Sequence, residues 1–282
     1  MAEISIIGPK KSGKTTYLAT LLRLPKTLAQ QYPGLRVTPL GENAPKLATR
    51  AAETIETGAV LAGTDLGNEP FYTFQIDLPK RIRLNQAPLE VTVRDYAGEV
   101  IDIAASDYLD ASESSRLRPY VKEWCKTTAW MILLTDWEPE RDASLYEPAF
   151  KEILKHIAAA CDKNPDLKAS LRVAIVLTKC ERGELWPCRL DPEEDLFKVR
   201  LPKTYALLKQ LQRRLSGRLK FFACSSFGVL DDRYDPRPNR KFDSDNPEAK
   251  AYLQQKEVWR PYGLVSPIYW LSTGKTLYDE SL

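Results

Sequence analysis

At 282 residues, with 43% hydrophobic and 28% charged side chains, the chain has apolar material for one large α/β domain or two small ones, which excludes disorder as its default state. Lysine and arginine number 41 against 38 acidic residues, a formal charge of +3 that is too small a field to gather nucleic acid or anionic lipid, and the single histidine, His156, rules out multi-histidine metal centres and acid–base schemes. The five cysteines are scattered without a CxxC pair, which points to a reducing, cytoplasmic setting rather than a disulfide framework or zinc, and no apolar run nears the roughly 18 residues a membrane crossing needs.

Taken in chain order, Ile4–Ile7 reads as a strand and Thr15–Leu24 as the helix after it. The stretch 25–70 carries a helical pattern at Lys46–Val60, flanked by turn residues at Pro33-Gly34, Gly63 and Gly67, and reads as a helical insertion. Phe71–Leu78 alternates like a strand near a sheet edge, and Leu89–Val93 is a third strand. A helix is predicted over Tyr108–Lys126. Ala129–Thr135 and Val173–Thr178 hold the runs MILL and VAIVL, which lack polar alternation as strands buried on both faces do; Tyr146–Cys161 is the helix between them. Thr204–Leu215 is helical and Phe221–Ser225 is the sixth strand. The stretch 231–250, DDRYDPRPNRKFDSDNPEAK, is expected to be an exposed charged loop, either a solvated connector or a lid or partner contact. A weaker helix closes the pattern at Val265–Thr273. Strands alternating with helices predict a three-layer α/β fold, one domain over 1–282, with a mostly parallel six-stranded sheet and helices on both faces.

The most specific signal is GPKKSGKT. It places Gly8, Gly13, Lys14 and Thr15 at the spacing GxxxxGK[ST], between a strand and a helix. Glycine at 8 and 13 lets the backbone wrap phosphates with amide N–H groups while the helix presents its positive dipole end. Lys14 is expected on the β/γ-phosphates and the Thr15 hydroxyl on Mg²⁺, with Lys11, Ser12 and Thr16 completing the phosphate-binding set. This is the P-loop, or Walker A, element of the P-loop NTPase fold. The later STGKT at Ser272–Thr276 is a decoy, because Tyr269 stands where its first glycine belongs.

Asp95-Tyr96-Ala97-Gly98, straight after the third strand run, resembles the DxxG element of Ras-like GTPases of the translation-factor-related class. The resemblance implies that Asp95 holds Mg²⁺ through water and that the Gly98 N–H senses the γ-phosphate. Glu99 stands where many Ras-like proteins have the glutamine that orients the attacking water; it is either that catalytic group or an exposed acid at a helix N-terminus. Thr178-Lys179-Cys180-Glu181 is similar to the [NT]KxD element that reads guanine, with Glu181 one methylene longer than the aspartate. Cys224-Ser225-Ser226 is similar to a loosely defined loop that contacts the base, making Ser225 and Ser226 candidates; a polar strand end is the alternative. The switch threonine, a Mg²⁺ ligand in the triphosphate state, is placed at Thr64, with Thr57 and Thr38 as alternatives. Arg36 and Arg50 could supply a guanidinium in cis.

This motif order, with the insertion, the DxAGE form and the proline-led WL of SPIYWL, resembles the bacterial double-GTPase proteins of conflict and defence gene clusters. The resemblance implies a Mg²⁺-dependent switch that binds GTP and GDP and hydrolyses GTP slowly. It also implies a protein partner that reads the switch segments, with another GTPase-like subunit as a candidate. An ATP-using P-loop kinase and a non-hydrolysing pseudo-GTPase scaffold are the competing readings.

Overall fold

The computed structural model describes residues 2–57, 66–67, 69–79, 87–110, 115–231, 235–241, 251–279 and 281–282. Its central sheet is built from β1 (Ala2–Ile7), β2 (Arg36–Leu40), β3 (Phe71–Asp77), β4 (Leu89–Asp95), β5 (Ala129–Leu134), β6 (Arg172–Leu177) and β7 (Leu219–Ala223). The order across the sheet is β2-β3-β4-β1-β5-β6-β7. The five strands from β4 to β7 in that order run parallel, while β3 lies antiparallel to both β4 and β2. Four short strands form two ribbons outside it: β8 (Val229–Asp231) with β9 (Asp235–Pro238), and β10 (Arg240–Lys241) with β11 (Tyr252–Leu253). The helices are α1 (Lys14–Arg23), α2 (Lys26–Gln31), α3 (Asn43–Thr57), α4 (Glu99–Asp110), α5 (Arg118–Trp124), α6 (Glu147–Lys163), α7 (Pro165–Ser170), α8 (Lys198–Arg200), α9 (Pro202–Arg214) and α10 (Ser266–Thr273).

The missing alternation in β5 has a direct cause. Met131 and Leu133 face a core shared with α1, α3 and α10, whereas Trp130, Ile132 and Leu134 face a second core shared with α4, α5, α6 and α9. Successive side chains of a strand point to opposite faces, so a strand covered on both sides is apolar throughout. The architecture is the expected three-layer α/β sandwich of helices about a mostly parallel sheet.

The sheet has seven strands where six were expected. The seventh, β2, lies inside the 25–70 insertion; Pro39 and the exposed Arg36 mask its apolar pattern, and both are tolerated because β2 is the edge strand. The helix expected over Tyr108–Lys126 is two helices, α4 and α5, and α4 begins at Glu99, directly after the DxAG turn. The charged stretch 231–250 is not one exposed loop: Asp235–Pro238 and Arg240–Lys241 pair with neighbouring strands, and Asn239 is fully buried, while 232–234 and 242–250 lie outside the described residues.

The segment after β11 is strapped across the helices that follow β1. The Tyr17 hydroxyl of α1 donates to the Leu264 carbonyl, Thr27 of α2 to the Trp259 carbonyl, and Tyr32 to the Asp279 carboxylate, with Ser281 Oγ 2.7 Å from the same phenol. Val265 and Ser266 donate their amides to the Leu282 carbonyl at 2.6 and 2.8 Å, which ties the start of α10 to Leu282. Among the described residues no helix is long and apolar enough to cross a membrane.

Candidate functional site

Parallel strands end at one edge of a sheet, so the segments after β1, β4, β5, β6 and β7 converge there. The middle of that edge belongs to β1, flanked by β4 and β5. The loop after β1 turns where Lys11 (φ 63°) and Gly13 (φ 90°) adopt left-handed backbone conformations, an αL arrangement that points successive N–H groups into one concavity. Gly8 has no alternative. A Cβ there would sit 2.3 Å from the Leu133 carbonyl oxygen and 2.9 Å from Ser12 Oγ. Gly13 is the N-cap of α1 and brings no capping side chain, so the amides of Lys14, Thr15 and Thr16 have no intrahelical acceptor and face the concavity with the helix dipole behind them.

Lys14 is buried within this loop, its Nζ donating to the Gly8 and Pro9 carbonyls at 2.8 and 3.1 Å. Burial holds its ammonium below the ordinary lysine range, against the opposing pull of Asp95, Glu99 and Asp102. Thr15 and Thr16 are half-buried in the first turn of α1. Asp95 ends β4 opposite Ile6, fully buried, with its amide donating to Pro70. Gly98 lies against the loop after β1 so closely that a Cβ would meet Lys10 N at 2.5 Å. Glu99, the first residue of α4, ion-pairs with Lys10 at 2.9 Å. Burial tends to raise its pKa, but the Lys10 hydrogen bond and the helix-start amide outweigh that and hold the carboxyl below its usual range.

The loop after β6 is tied to the same element. Thr178 Oγ1 donates to the Ser12 carbonyl at 2.6 Å and to Leu134 at 2.9 Å, and Lys179, itself at φ 61°, donates Nζ to the Lys11 carbonyl at 2.7 Å. Lys179 is pushed down to about 8, first by burial and next by the charge of Arg240. Its Nζ lies 5.4 Å from the ring centre of Trp137, on the loop after β5. Glu181 is fully buried and paired with Arg240 at 3.1 Å.

The remaining predicted residues fare differently. Ser225 is buried, and its hydroxyl accepts the Gly228 amide at 2.7 Å, so it caps its own turn. Ser226 is half-buried and its carbonyl accepts from Trp259 Nε1 at 2.9 Å. Thr64 lies outside the described residues. Of its alternatives, Thr38 is in β2 opposite Gln75 and Thr57 is the last residue of α3. Arg36 is in β2 opposite Asp77, while the exposed Arg50 lines a polar cavity of about 430 Å³ with Asn43, Lys46 and Glu69. Sequence reasoning passes over Lys10, Trp137 and Arg240. Only proximity in space marks them, and Arg240 sits in a stretch whose composition suggests solvent.

Neither a family model nor a curated protein matches the chain. Among solved structures, its fold is similar to that of translation elongation factor SelB from Methanococcus maripaludis in complex with the GTP analogue GppNHp, at 13% identity and TM-score 0.34, over 80% of this chain and 30% of that one. It is also similar to the signal recognition particle receptor SRb-GTP/SRX complex from Chaetomium thermophilum, at 12% identity and TM-score 0.42, over 81% of this chain and 92% of that one. The chain thus spans 30% of the elongation factor's length.

Proposed function

We propose that the chain binds a Mg²⁺–guanine nucleotide at Gly8–Thr16 and acts as a slow GTP-hydrolysing switch. The observation that carries this reading is a buried lysine enclosed by a left-handed backbone turn at an uncapped helix start. Such a turn has no structural need for a buried ammonium, whereas a polyphosphate is bound by both. In this reading Lys14 exchanges the Gly8 and Pro9 carbonyls for β/γ-phosphate oxygens, and the amides from Lys11 to Thr16 hold the rest.

The residues also fit a divalent ion. Mg²⁺ takes few protein ligands beside phosphate oxygens and water, so a hydroxyl and a carboxylate at the edge of the loop are enough for it. The Thr15 hydroxyl and the fully buried Asp95 carboxylate are the groups that would hold it, and Thr64 is the proposed third. Bound there, Mg²⁺ would neutralise charge on the phosphate oxygens. Gly98 would carry the presence of the γ-phosphate to α4, because its backbone touches the phosphate loop and α4 begins at the next residue. Glu99 is the proposed group for orienting water, and Thr178, Lys179, Glu181, Ser225 and Ser226 form the proposed base site. The Lys10–Glu99 pair favours one second reading, a scaffold that binds nucleotide without cleaving it, because it engages the carboxylate that hydrolysis would use. The proposed partner is a protein reading the Asp95–Glu99 surface, within a bacterial signalling or defence complex as the sequence resemblance implies.

Competition of GTP, GDP and ATP for the purified chain in Mg²⁺ tests the base preference, and phosphate release beside Lys14→Ala tests turnover. A guanine preference is expected, with release above that of the variant. Preference for ATP would end the reading, and release no greater than that of Lys14→Ala would leave the scaffold.

A further inference from the structure

The acceptor through which guanine would be recognised, Glu181, is closed over. Its side chain is 1% exposed, and Arg240 Nη1 lies 3.1 Å from Oε1, on a side chain that is itself only 7% exposed. The Arg240 guanidinium rests on the indole of Trp137, 4.4 Å from the ring centre. Its chain neighbour, Asn239, donates its amide to the Gly228 carbonyl at 3.0 Å and exchanges two side-chain hydrogen bonds with the Gln255 backbone at 2.8 and 2.7 Å. Arg240 is therefore placed from both ends: Asn239 fixes its backbone and Trp137 supports its head.

No base can touch a carboxylate with 1% of its surface exposed until its cover moves. Guanine offers N–H donors on one edge, and these and a guanidinium compete for the same carboxylate oxygens. With Asn239 anchored, the part free to move is the flexible arginine stem, which can swing while the ribbon stays in place. Resting on the guanine-nucleotide reading above, we propose that Arg240 is an internal competitor for the base: its guanidinium holds the acceptor face of Glu181 until guanine displaces it from Trp137. Base recognition then sets both the affinity and the association rate through one side chain.

The test is titration of the full chain with fluorescent GDP and ATP analogues in Mg²⁺, comparing wild type with R240A. R240A is expected to bind GDP about tenfold tighter and faster, since the competitor is gone, with ATP affinity unmoved. Unchanged or weaker GDP binding by folded R240A overturns the proposal. Removing one partner of a buried pair strands the other, so folding is checked by thermal melting, and a second readout uses wild type. GDP should shift the tryptophan emission as the indole loses the Arg240 guanidinium, the nearest of the three cations about it, and the shift should vanish in W137F. Wild type that binds GDP with no Trp137-dependent shift also overturns it. If wild type binds GDP and ATP equally and E181A changes neither, the guanine reading fails and the competitor with it. Guanine preference without a gain in R240A sinks the competitor alone.

Discussion

Single atoms decide whether the loop after β1 can form. A methyl group at position 8 would lie 2.3 Å from the carbonyl oxygen of Leu133, which belongs to a central strand and cannot yield cheaply. Gly8→Ala is expected to cost about 1–3 kcal/mol and to abolish tight nucleotide binding, checked by denaturant unfolding and titration. Gly98→Ala meets the Lys10 backbone instead, so it should part α4 from the loop after β1 and, on the proposed function, lower phosphate release more than nucleotide affinity. Asp107 makes a pH test. Burial tends to raise its pKa, but the Leu117 amide at 2.8 Å, with Arg116 and Ser115, outweighs this and leaves the carboxyl below its usual range. With the folded pKa depressed, its stabilisation is full above the unfolded value near 4 and is lost as pH falls through the folded one. Asp107→Asn should flatten the acid limb of a stability–pH profile below about pH 4 and lower stability at neutral pH. At this scale the tight turn after β1 was legible because Gly8 and Gly13 are dictated by local backbone chemistry. The Glu181–Arg240 pair was not, because nothing in either residue's own neighbourhood names the other.

Helices borrow what they lack from other elements. Leu201, the N-cap of α9, has no side chain that can accept a hydrogen bond, and the buried Asp142 takes its place, accepting the Lys203 and Thr204 amides at 2.9 and 3.0 Å. Asp142→Ala should cost about 1–3 kcal/mol, since it removes a cap and strands amides next to buried Thr204. A fall in melting temperature with nucleotide affinity preserved is the expected result. Most elements were legible because covered strands are apolar throughout and helices keep their own period. The failures have local causes: Pro39 broke the pattern of β2, and Asp102, Ser106 and Asp107 interrupt the apolar period of α4. Strands β9 and β10 are charged and short, held by ladder bonds and buried Asn239 rather than by apolar faces.

The whole molecule places two cores back to back on one sheet, with the candidate site at the edge where five parallel strands end. A ligand bound only by the folded chain raises its stability, by roughly 2.7 kcal/mol at a hundred times the dissociation constant. GDP with Mg²⁺ should therefore raise the melting temperature by several degrees, and Lys14→Ala should erase that gain. The fold class was legible at this scale because it follows from the alternation of strand and helix.

The strap across α1 joins Tyr17 to Leu264, 247 positions apart. A ribosome making this protein releases the loop after β1 well before the Leu264 carbonyl to which its supporting helix bonds. During that interval the Tyr17 phenol has no native acceptor, so the nascent chain should gain nucleotide affinity only once Leu264 has emerged.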